Sequence, residues 1–145
     1  MAVLDASALI ALLRAEPGEA IVREVLRDEE HSSAVSALNL AESVDVLVRV
    51  FEIEESDVAD AIDLLELGGL VVIDVDGRTA WRAGMFRATH YRKRSAEISL
   101  ADSVAAVTAS IRQEALVTSD RPLARAARAA GIDVIAIADQ HGSSR

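Results

Sequence analysis

Short runs of β-branched and aliphatic residues alternate with longer helical patterns along most of the chain. The runs lie at residues 2–4, 32–35, 70–75, 116–118 and 134–137. Because helices that connect successive strands leave those strands parallel, this alternation predicts an α/β domain. We expect a central, mostly parallel five-stranded sheet flanked by six or seven helices.

The size and composition of the chain favour one domain. Its 145 residues, 51% of them hydrophobic, suffice for one continuous core but not for two ordinary domains. We expect the domain to span residues 1–139 and a flexible tail to span residues 140–145. Cysteine is absent, which excludes disulfides and thiolate metal sites. The sequence has no pattern of a signal peptide or a membrane span, so we expect a cytoplasmic protein.

Acidic and basic residues are unevenly distributed. The net charge is −9, which argues at first against a nucleic-acid partner. Residues 1–77 contain eighteen Asp and Glu against four Lys and Arg, whereas residues 77–96 contain six Lys and Arg and no acid. One local surface is therefore suited to a polyanion, and the acidic part is suited to metal ions or to a basic partner protein.

Four carboxylates are predicted to meet at one edge of the sheet. Asp5 follows the first strand, Asp120 follows the fourth, and Asp102 lies in the first turn of a helix entering the same layer. The carboxyl ends of parallel strands share an edge, where ligands bind. Glu42 lies in an apolar part of the helix predicted over residues 36–51, where an isolated carboxylate would be costly. An all-oxygen cluster of this kind suits Mg²⁺ or Mn²⁺.

Each of these acids also has a purely structural explanation. Asp5 and Asp120 have the positions of helix N-caps, and Asp102 has the position of the acid in a capping box. Glu42 is placed to pair with Arg49 across two turns. Helix-capping residues need not lie near one another, whereas the ligands of a metal site must. Four acids around one point should also raise the pKa values of the carboxyl groups in the folded protein.

The motifs that contain the four acids are similar to those of a known family. They are Val3-Leu-Asp5-Ala-Ser7-Ala-Leu9, Asn39-Leu-Ala-Glu42, Ile98-Ser-Leu-Ala-Asp102 and Val117-Thr-Ser-Asp120-Arg. With these four motifs in this order, the chain resembles the PIN-domain family over nearly its full length. It resembles specifically the VapC-type toxins of bacterial toxin–antitoxin pairs. The resemblance implies a Mg²⁺- or Mn²⁺-dependent endoribonuclease whose catalytic and metal-binding residues are Asp5, Glu42, Asp102 and Asp120. It also implies an RNA substrate, a cognate antitoxin, a homodimer, and support of the site by Ser7, Thr118 and Ser119.

The chemistry of hydrolysis fits this set of ligands. Carboxylate-held Mg²⁺ activates water for in-line attack on a phosphodiester, which leaves products with 5′-phosphate ends. We assign Asp5 and Asp102 as direct ligands and Glu42 as a ligand or water-positioning base. Asp120 is assigned as a second-site or water-mediated ligand.

A basic segment supplies candidate RNA contacts. Its residues are predicted to continue a helix through residue 92, with Tyr91 or Trp81 as a stacking face. The candidates are Arg82, Arg87, Arg92, Lys93 and Arg94. A solvated helix face with Trp81 in the core explains the segment equally well. The three histidines are His31, His90 and His141. They lack metal-ligand spacing, so we expect them at the surface.

Two other classes of function use similar features. A phosphatase or phospho-receiver also places carboxylates at a sheet edge, but position 7 is Ser7 and the only lysine is Lys93, within the basic segment. No glycine-rich phosphate loop is present in the sequence, since Gly68 and Gly69 end a helix. A non-catalytic protein-binding module with the same fold is the second alternative.

Overall fold

Five short strands form one sheet at the centre of the computed structural model. The structure describes residues 2–28 and 32–139. The strands are β1 (Ala2–Leu4), β2 (Ala34–Ser36), β3 (Val71–Ile73), β4 (Ala115–Thr118) and β5 (Val134–Ala136). Their order is β3-β2-β1-β4-β5, and each neighbouring pair is parallel. The predicted five-stranded α/β architecture is therefore confirmed.

Within the described residues, seven α-helices and one π-helical turn connect these strands. They are α1 (Ala6–Leu13), α2 (Glu19–Leu26), α3 (Ala37–Asp45), the π-helical turn (Val46–Val50), α4 (Glu55–Leu67), α5 (Gly77–His90), α6 (Leu100–Arg112) and α7 (Arg121–Ala129). None of the described helices combines the length and apolar character that crossing a bilayer requires. The tail predicted over residues 140–145 lies outside the described residues.

Helices cover both faces of the sheet. Alternate residues of a strand point to opposite faces, and β1 illustrates the division. Val3 packs with buried residues of α5, α6 and α7, whereas Ala2 and Leu4 pack with buried residues of α1, α2 and α4. Burial on both sides explains why the strands are continuous apolar runs rather than alternating ones. Because the strands are parallel, the residues that follow β1 and β4 meet at the same edge.

Two predicted helices end earlier than expected. The helix predicted over residues 36–51 changes at Asp45 into the π-helical turn, in which Phe51 N–H donates to Val46 O at 3.2 Å. Valines alternate through this turn, and β-branched side chains crowd a regular α-helix. The basic helix ends at His90, so residues 92–94 lie in the following loop. Arg94 has a φ of +69°, which no right-handed helix accommodates.

Candidate active site

Asp5 is the most buried of the four acids. It follows β1 directly and is 1% exposed, and its N–H donates to Val117 O of β4 at 3.1 Å. Its Oδ1 caps α1 by accepting from Ala8 N at 2.9 Å, and it also accepts from the Ser7 hydroxyl at 2.6 Å. Its Oδ2 accepts from the Thr118 hydroxyl. The carboxylate is therefore held by donors from β4 and from the first turn of α1.

The same two hydroxyl groups hold the segment that follows β4. Ser7 Oγ accepts from Ser119 N at 2.9 Å, and Thr118 Oγ1 accepts from Asp120 N at 3.0 Å. Each hydroxyl donates to Asp5 and accepts from the backbone, so it orients the two acids together. Ser7, Thr118 and Ser119 thus lie beside the acids, and Ser119 participates through its backbone.

Asp102 and Asp120 are both held by helix caps. Asp102 Oδ2 accepts from Ser99 N at 2.8 Å while Ser99 Oγ accepts from Asp102 N at 3.0 Å, which completes a capping box. Asp120 Oδ1 accepts from Leu123 N at 2.8 Å at the start of α7. The capping explanation is confirmed for Asp5, Asp102 and Asp120. Capping is compatible with a metal site at Asp102 and Asp120. In each of them the cap occupies one carboxylate oxygen, and no hydrogen bond between described residues involves the other oxygen.

Glu42 is half-buried in α3, and its Oε2 is buried without a hydrogen-bond partner among the described residues. The expected pairing with Arg49 is wrong, because Arg49 donates to both oxygens of Asp45, at 2.9 and 2.7 Å. Asn39, one turn earlier and fully buried, donates from Nδ2 to Ala101 O at 3.2 Å. This hydrogen bond holds α3 against the first turn of α6, which carries the third acid. Asn39 belongs to one of the four motifs, but no role was predicted for it.

The acids lie close enough to affect one another's ionisation. Burial raises the pKa of Asp5 to about 7 against the effect of its hydrogen bonds, and the charge of Asp102 adds to the rise. Burial is also the main cause that raises the pKa of Glu42, followed by the charges of Asp102, Asp120 and Asp45. The pKa of Asp102 is raised by burial, which outweighs its capping-box hydrogen bonds, and by the charge of Asp120. The expected direction is observed for these three acids, but desolvation contributes more than mutual repulsion.

The chemistry of these donors fits a hard divalent cation that retains water ligands. All of the donors are carboxylate oxygens, and a cation would satisfy the buried Oε2 of Glu42. Among the residues that the structure describes, no three His, Cys, Asp or Glu side chains are grouped tightly enough to form a metal cage. Mg²⁺ is usually bound by one or two carboxylates and keeps several waters, so an open arrangement is compatible with it.

Two of the candidate RNA contacts, Arg82 and Arg87, donate hydrogen bonds to residues outside α5. Arg82 donates to a serine hydroxyl at a distance of 3.4 Å. This serine lies near the C-terminal end of α6, away from the acids. Arg87 donates to Ile98 O at 2.7 Å and lies over the Tyr91 ring at 4.5 Å. Trp81 is 74% exposed, so the interpretation that places it in the core is wrong. These contacts connect α5 to α6 and its preceding loop.

The remaining basic candidates, residues 92–94, are exposed in the loop that follows α5. Arg125 Nη2 donates to Ser95 O at 3.2 Å and thereby connects this loop to α7. The basic residues of α7 were not among the predicted RNA contacts. The signal that could have identified them was the recurrence of Arg121, Arg125 and Arg128 at helical spacing.

The histidines contribute nothing to the acid cluster within the described residues. His90 is half-buried rather than fully at the surface, and its ring packs on Phe86 with centroids 4.5 Å apart. His31 and His141 lie outside the described residues.

A parallel sheet with four acids near its carboxyl edge defines the class of domain. The model of the PIN domain matches residues 2–129, and the chain therefore belongs to the PIN-domain family. This confirms the family that the motifs indicated. Among curated protein sequences, none matches the chain.

Solved structures with the same fold include VapC toxins of VapBC toxin–antitoxin systems. VapC20 of Mycobacterium tuberculosis, a sarcin-ricin loop cleaving toxin, has a TM-score of 0.68 at 16% identity, over 91% of this chain and 96% of that chain. DNA-bound VapBC of Salmonella typhimurium has a TM-score of 0.67 at 24% identity, over 93% and 96%. A toxin–antitoxin complex of Klebsiella pneumoniae has a TM-score of 0.60 at 18% identity, over 83% and 87%. At these identities the likeness shows the shared fold.

Proposed function

We propose that the protein is a Mg²⁺- or Mn²⁺-dependent endoribonuclease and the toxin component of a bacterial toxin–antitoxin pair. The observation that carries the proposal is the buried, unpartnered Oε2 of Glu42 beside the charges of Asp102 and Asp120. A carboxylate in that position is costly unless it meets a cation or holds a water molecule. Membership of the PIN-domain family and the fold shared with an RNA-cleaving toxin support a ribonuclease over other uses of the same acids.

The four acids have different proposed roles. Asp5 and Asp102 are direct metal ligands, because hydrogen bonds fix both carboxylates at the same edge. Asp120 binds through water or at a second ion, from its position at the start of α7. The ion supplies positive charge that activates water and offsets charge on the phosphodiester. Glu42 is a ligand or the base that receives the proton of the attacking water at Oε2, and its raised pKa makes it a better proton acceptor than an ordinary glutamate.

The reaction consists of water attack on phosphorus and departure of the 3′-oxygen. The new phosphorus–oxygen bond stays with the downstream fragment, which keeps a 5′-phosphate. The 2′-hydroxyl has no role as nucleophile in this scheme. Asp5 and Asp102 would hold the ion that offsets the charge of the reacting phosphate, and Glu42 would hold the water on the face opposite to the leaving oxygen.

An antitoxin is the proposed protein partner. The apolar side chains exposed on α2 and α4 include Ile21, Leu64 and Leu67, at 40%, 69% and 85%. A cavity of about 220 Å³ lies between these helices and is lined mainly by leucines. An amphipathic segment would cover this surface, as helices do in apolar grooves. The toxin role predicts growth arrest on expression of the protein, relieved by co-expression of a cognate antitoxin.

A homodimer is proposed on a separate apolar surface of α5 and α6. Trp81, Met85 and Ile111 are exposed there at 74%, 55% and 44%. Exposed aromatic and Met side chains are enriched at protein interfaces. Replacing Trp81 with Ser should convert a dimer to a monomer in sedimentation.

A cleavage assay distinguishes the proposed nuclease from the alternatives. Labelled RNA and DNA of the same sequence are incubated with the protein and Mn²⁺, and in parallel with chelator. We expect RNA cleavage that requires the metal and leaves 5′-phosphate ends. Release of phosphate from monoesters without chain cleavage would indicate a phosphatase, and no reaction in any arm would indicate a binding module.

A further inference from the structure

Three arginines form one exposed face of α7. Arg121, Arg125 and Arg128 are all exposed, whereas Leu123 and Ala127 on the other side pack into the core. The spacing of four and three residues places successive arginines about 6 and 4.5 Å apart along the helix axis. The ion pairs between described residues involve other arginines, so these three are not neutralised by such a pair.

This arginine face borders a groove that begins at the acid cluster. The groove has a volume of about 520 Å³ and is lined by the three arginines, by residues 118–120 and by residues 136–139 at the end of β5 and beyond it. Asp120 and Asp139 also line it, so it carries three arginines against two carboxylates. A cavity of about 410 Å³ at the opposite edge of the sheet contains none of the four acids.

The loop at residues 92–94 adds further positive charge near the arginine face. Arg125 donates to Ser95 O, which places the loop directly against α7. The basic loop and the arginine face are far apart in sequence, but this contact makes them neighbouring parts of one surface. In a protein with a net charge of −9, such a surface is a local region of positive electrostatic potential.

We propose that the α7 groove binds the phosphate backbone of single-stranded RNA next to the scissile position. The inference rests on the proposed function, and it assigns a new binding site to Arg121, Arg125 and Arg128. Guanidinium groups form bidentate hydrogen bonds with phosphate oxygens, and successive arginines along one helix face match a chain of phosphates. An RNA strand in the groove passes Asp120 and thereby delivers its next phosphodiester to the cluster of Asp5, Glu42, Asp102 and Asp120.

Position favours RNA over an acidic segment of a partner protein as the occupant. The groove is continuous with the carboxyl edge of the sheet through residues 118–120. The large exposed apolar side chains of α2 and α4, which suit a protein partner, lie on elements that do not line it. The charged residues of the lining, three arginines among them, suit a phosphate backbone.

The test measures RNA binding in chelator, so that cleavage does not interfere. A short labelled single-stranded RNA is titrated with wild type and with the double variant Arg125→Gln, Arg128→Gln at several salt concentrations. Losing two phosphate contacts on a single strand should reduce the slope of log affinity against log salt by about 1.4. The variant Arg125→Lys, Arg128→Lys should keep most of the slope. The control Arg27→Gln, Arg78→Gln makes the same charge change at exposed residues that do not line the groove, and it should keep the wild-type slope.

The outcomes separate this inference from the proposed function. An unchanged slope in the glutamine variant, or an equal loss in the control, would overturn the groove as an RNA site even where wild type cleaves RNA with Mn²⁺. A reduced slope confined to the glutamine variant would support the groove even where wild type fails to cleave. Thermal melts of the variants verify that the fold is retained. Binding of no RNA by wild type would overturn the inference.

Discussion

The Thr118 hydroxyl donates a hydrogen bond to Asp5 Oδ2 and thereby joins the carboxyl ends of β4 and β1. The same hydroxyl accepts from Asp120 N, so one side chain orients two of the four acids. Asp5 is 1% exposed, and hydrogen bonds of this kind oppose the rise in its pKa that burial causes. Thr118 is therefore a positioning residue, and its hydrogen bond also lowers the pKa of Asp5.

Replacing Thr118 with Val tests this role. The valine keeps the shape but removes the hydroxyl, so we expect the pKa of Asp5 to rise above its value of about 7. Metal binding requires the ionised carboxylate, and the rising limb of Mn²⁺-dependent cleavage should shift to higher pH. Thr108→Val, at another buried threonine, is the control. It should leave the pH profile unchanged.

The change Asp5→Asn tests the metal ligand directly. Asparagine retains an oxygen that accepts from Ala8 N, so the cap on α1 and the fold should persist. The charge is lost, and we expect no Mn²⁺-dependent RNA cleavage above background. The comparison is Asp133→Asn, an exposed acid immediately before β5, which should cleave as wild type does. Cleavage by Asp5→Asn at the wild-type rate would exclude Asp5 from the metal site.

The raised pKa of Asp5 predicts how stability without metal depends on pH. In the unfolded chain Asp5 ionises near its ordinary value of 3.8, whereas in the folded protein it keeps its proton until about pH 7. Its contribution to stability is therefore fully present below about pH 4 and is lost as pH rises to about 7. A tenfold change in an acid dissociation constant corresponds to about 1.4 kcal/mol, so the loss amounts to a few kcal/mol. The raised pKa values of Glu42 and Asp102 act in the same direction.

Denaturant unfolding in chelator, at about pH 5 and about pH 8, measures this effect. Wild type should be more stable at the lower pH. The Asp5→Asn variant should have a smaller difference between the two pH values, because its side chain does not titrate. An equal difference in both proteins would mean that Asp5 is already ionised at pH 5.

The location of the acids was predictable because it depends on local rules. Strand ends and caps are encoded in short segments, and Asp5 and Asp120 lie directly after strands that the apolar runs identify. The sequence offered capping and metal binding as alternatives for Asp5, Asp102 and Asp120. The structure makes them compatible for Asp102 and Asp120, since each cap fixes the carboxylate through one oxygen and leaves the other to the cluster.

Long-range contacts were not predictable in the same way. The pairing of Arg49 with Asp45 is a local contact between residues four apart, which the sequence could have indicated, whereas the exposure of Trp81 depends on how α5 packs on α6. The hydrogen bond from Arg125 to Ser95 joins segments that share no motif. Such contacts follow from tertiary packing, which no local pattern in one sequence specifies.

The basic loop gives a second prediction on RNA binding. Replacing Arg92, Lys93 and Arg94 with Ala should weaken RNA binding and reduce its salt slope by up to about 2, because each phosphate contact on a single strand contributes about 0.7. The measurement is the affinity for labelled RNA across a salt series in chelator. Arg82→Ala is the reference, since Arg82 contacts the far end of α6 and should leave the slope unchanged. A slope equal to wild type in the triple variant would make the loop an ordinary solvated segment.

The change Asp102→Asn tests whether the acids act as one metal site. In the absence of metal, the substitution removes a desolvated charge near Glu42 and Asp120, while the asparagine oxygen still accepts from Ser99 N. We therefore expect the variant to melt above wild type in chelator at neutral pH. Millimolar Mn²⁺ should raise the melting temperature of wild type by mass action, and that of the variant much less. The control Asp57→Asn, in the first turn of α4, should respond to Mn²⁺ as wild type does. Equal Mn²⁺ shifts in Asp102→Asn and wild type would reduce Asp102 to the acid of a capping box, because a true ligand cannot be neutralised without loss of metal affinity.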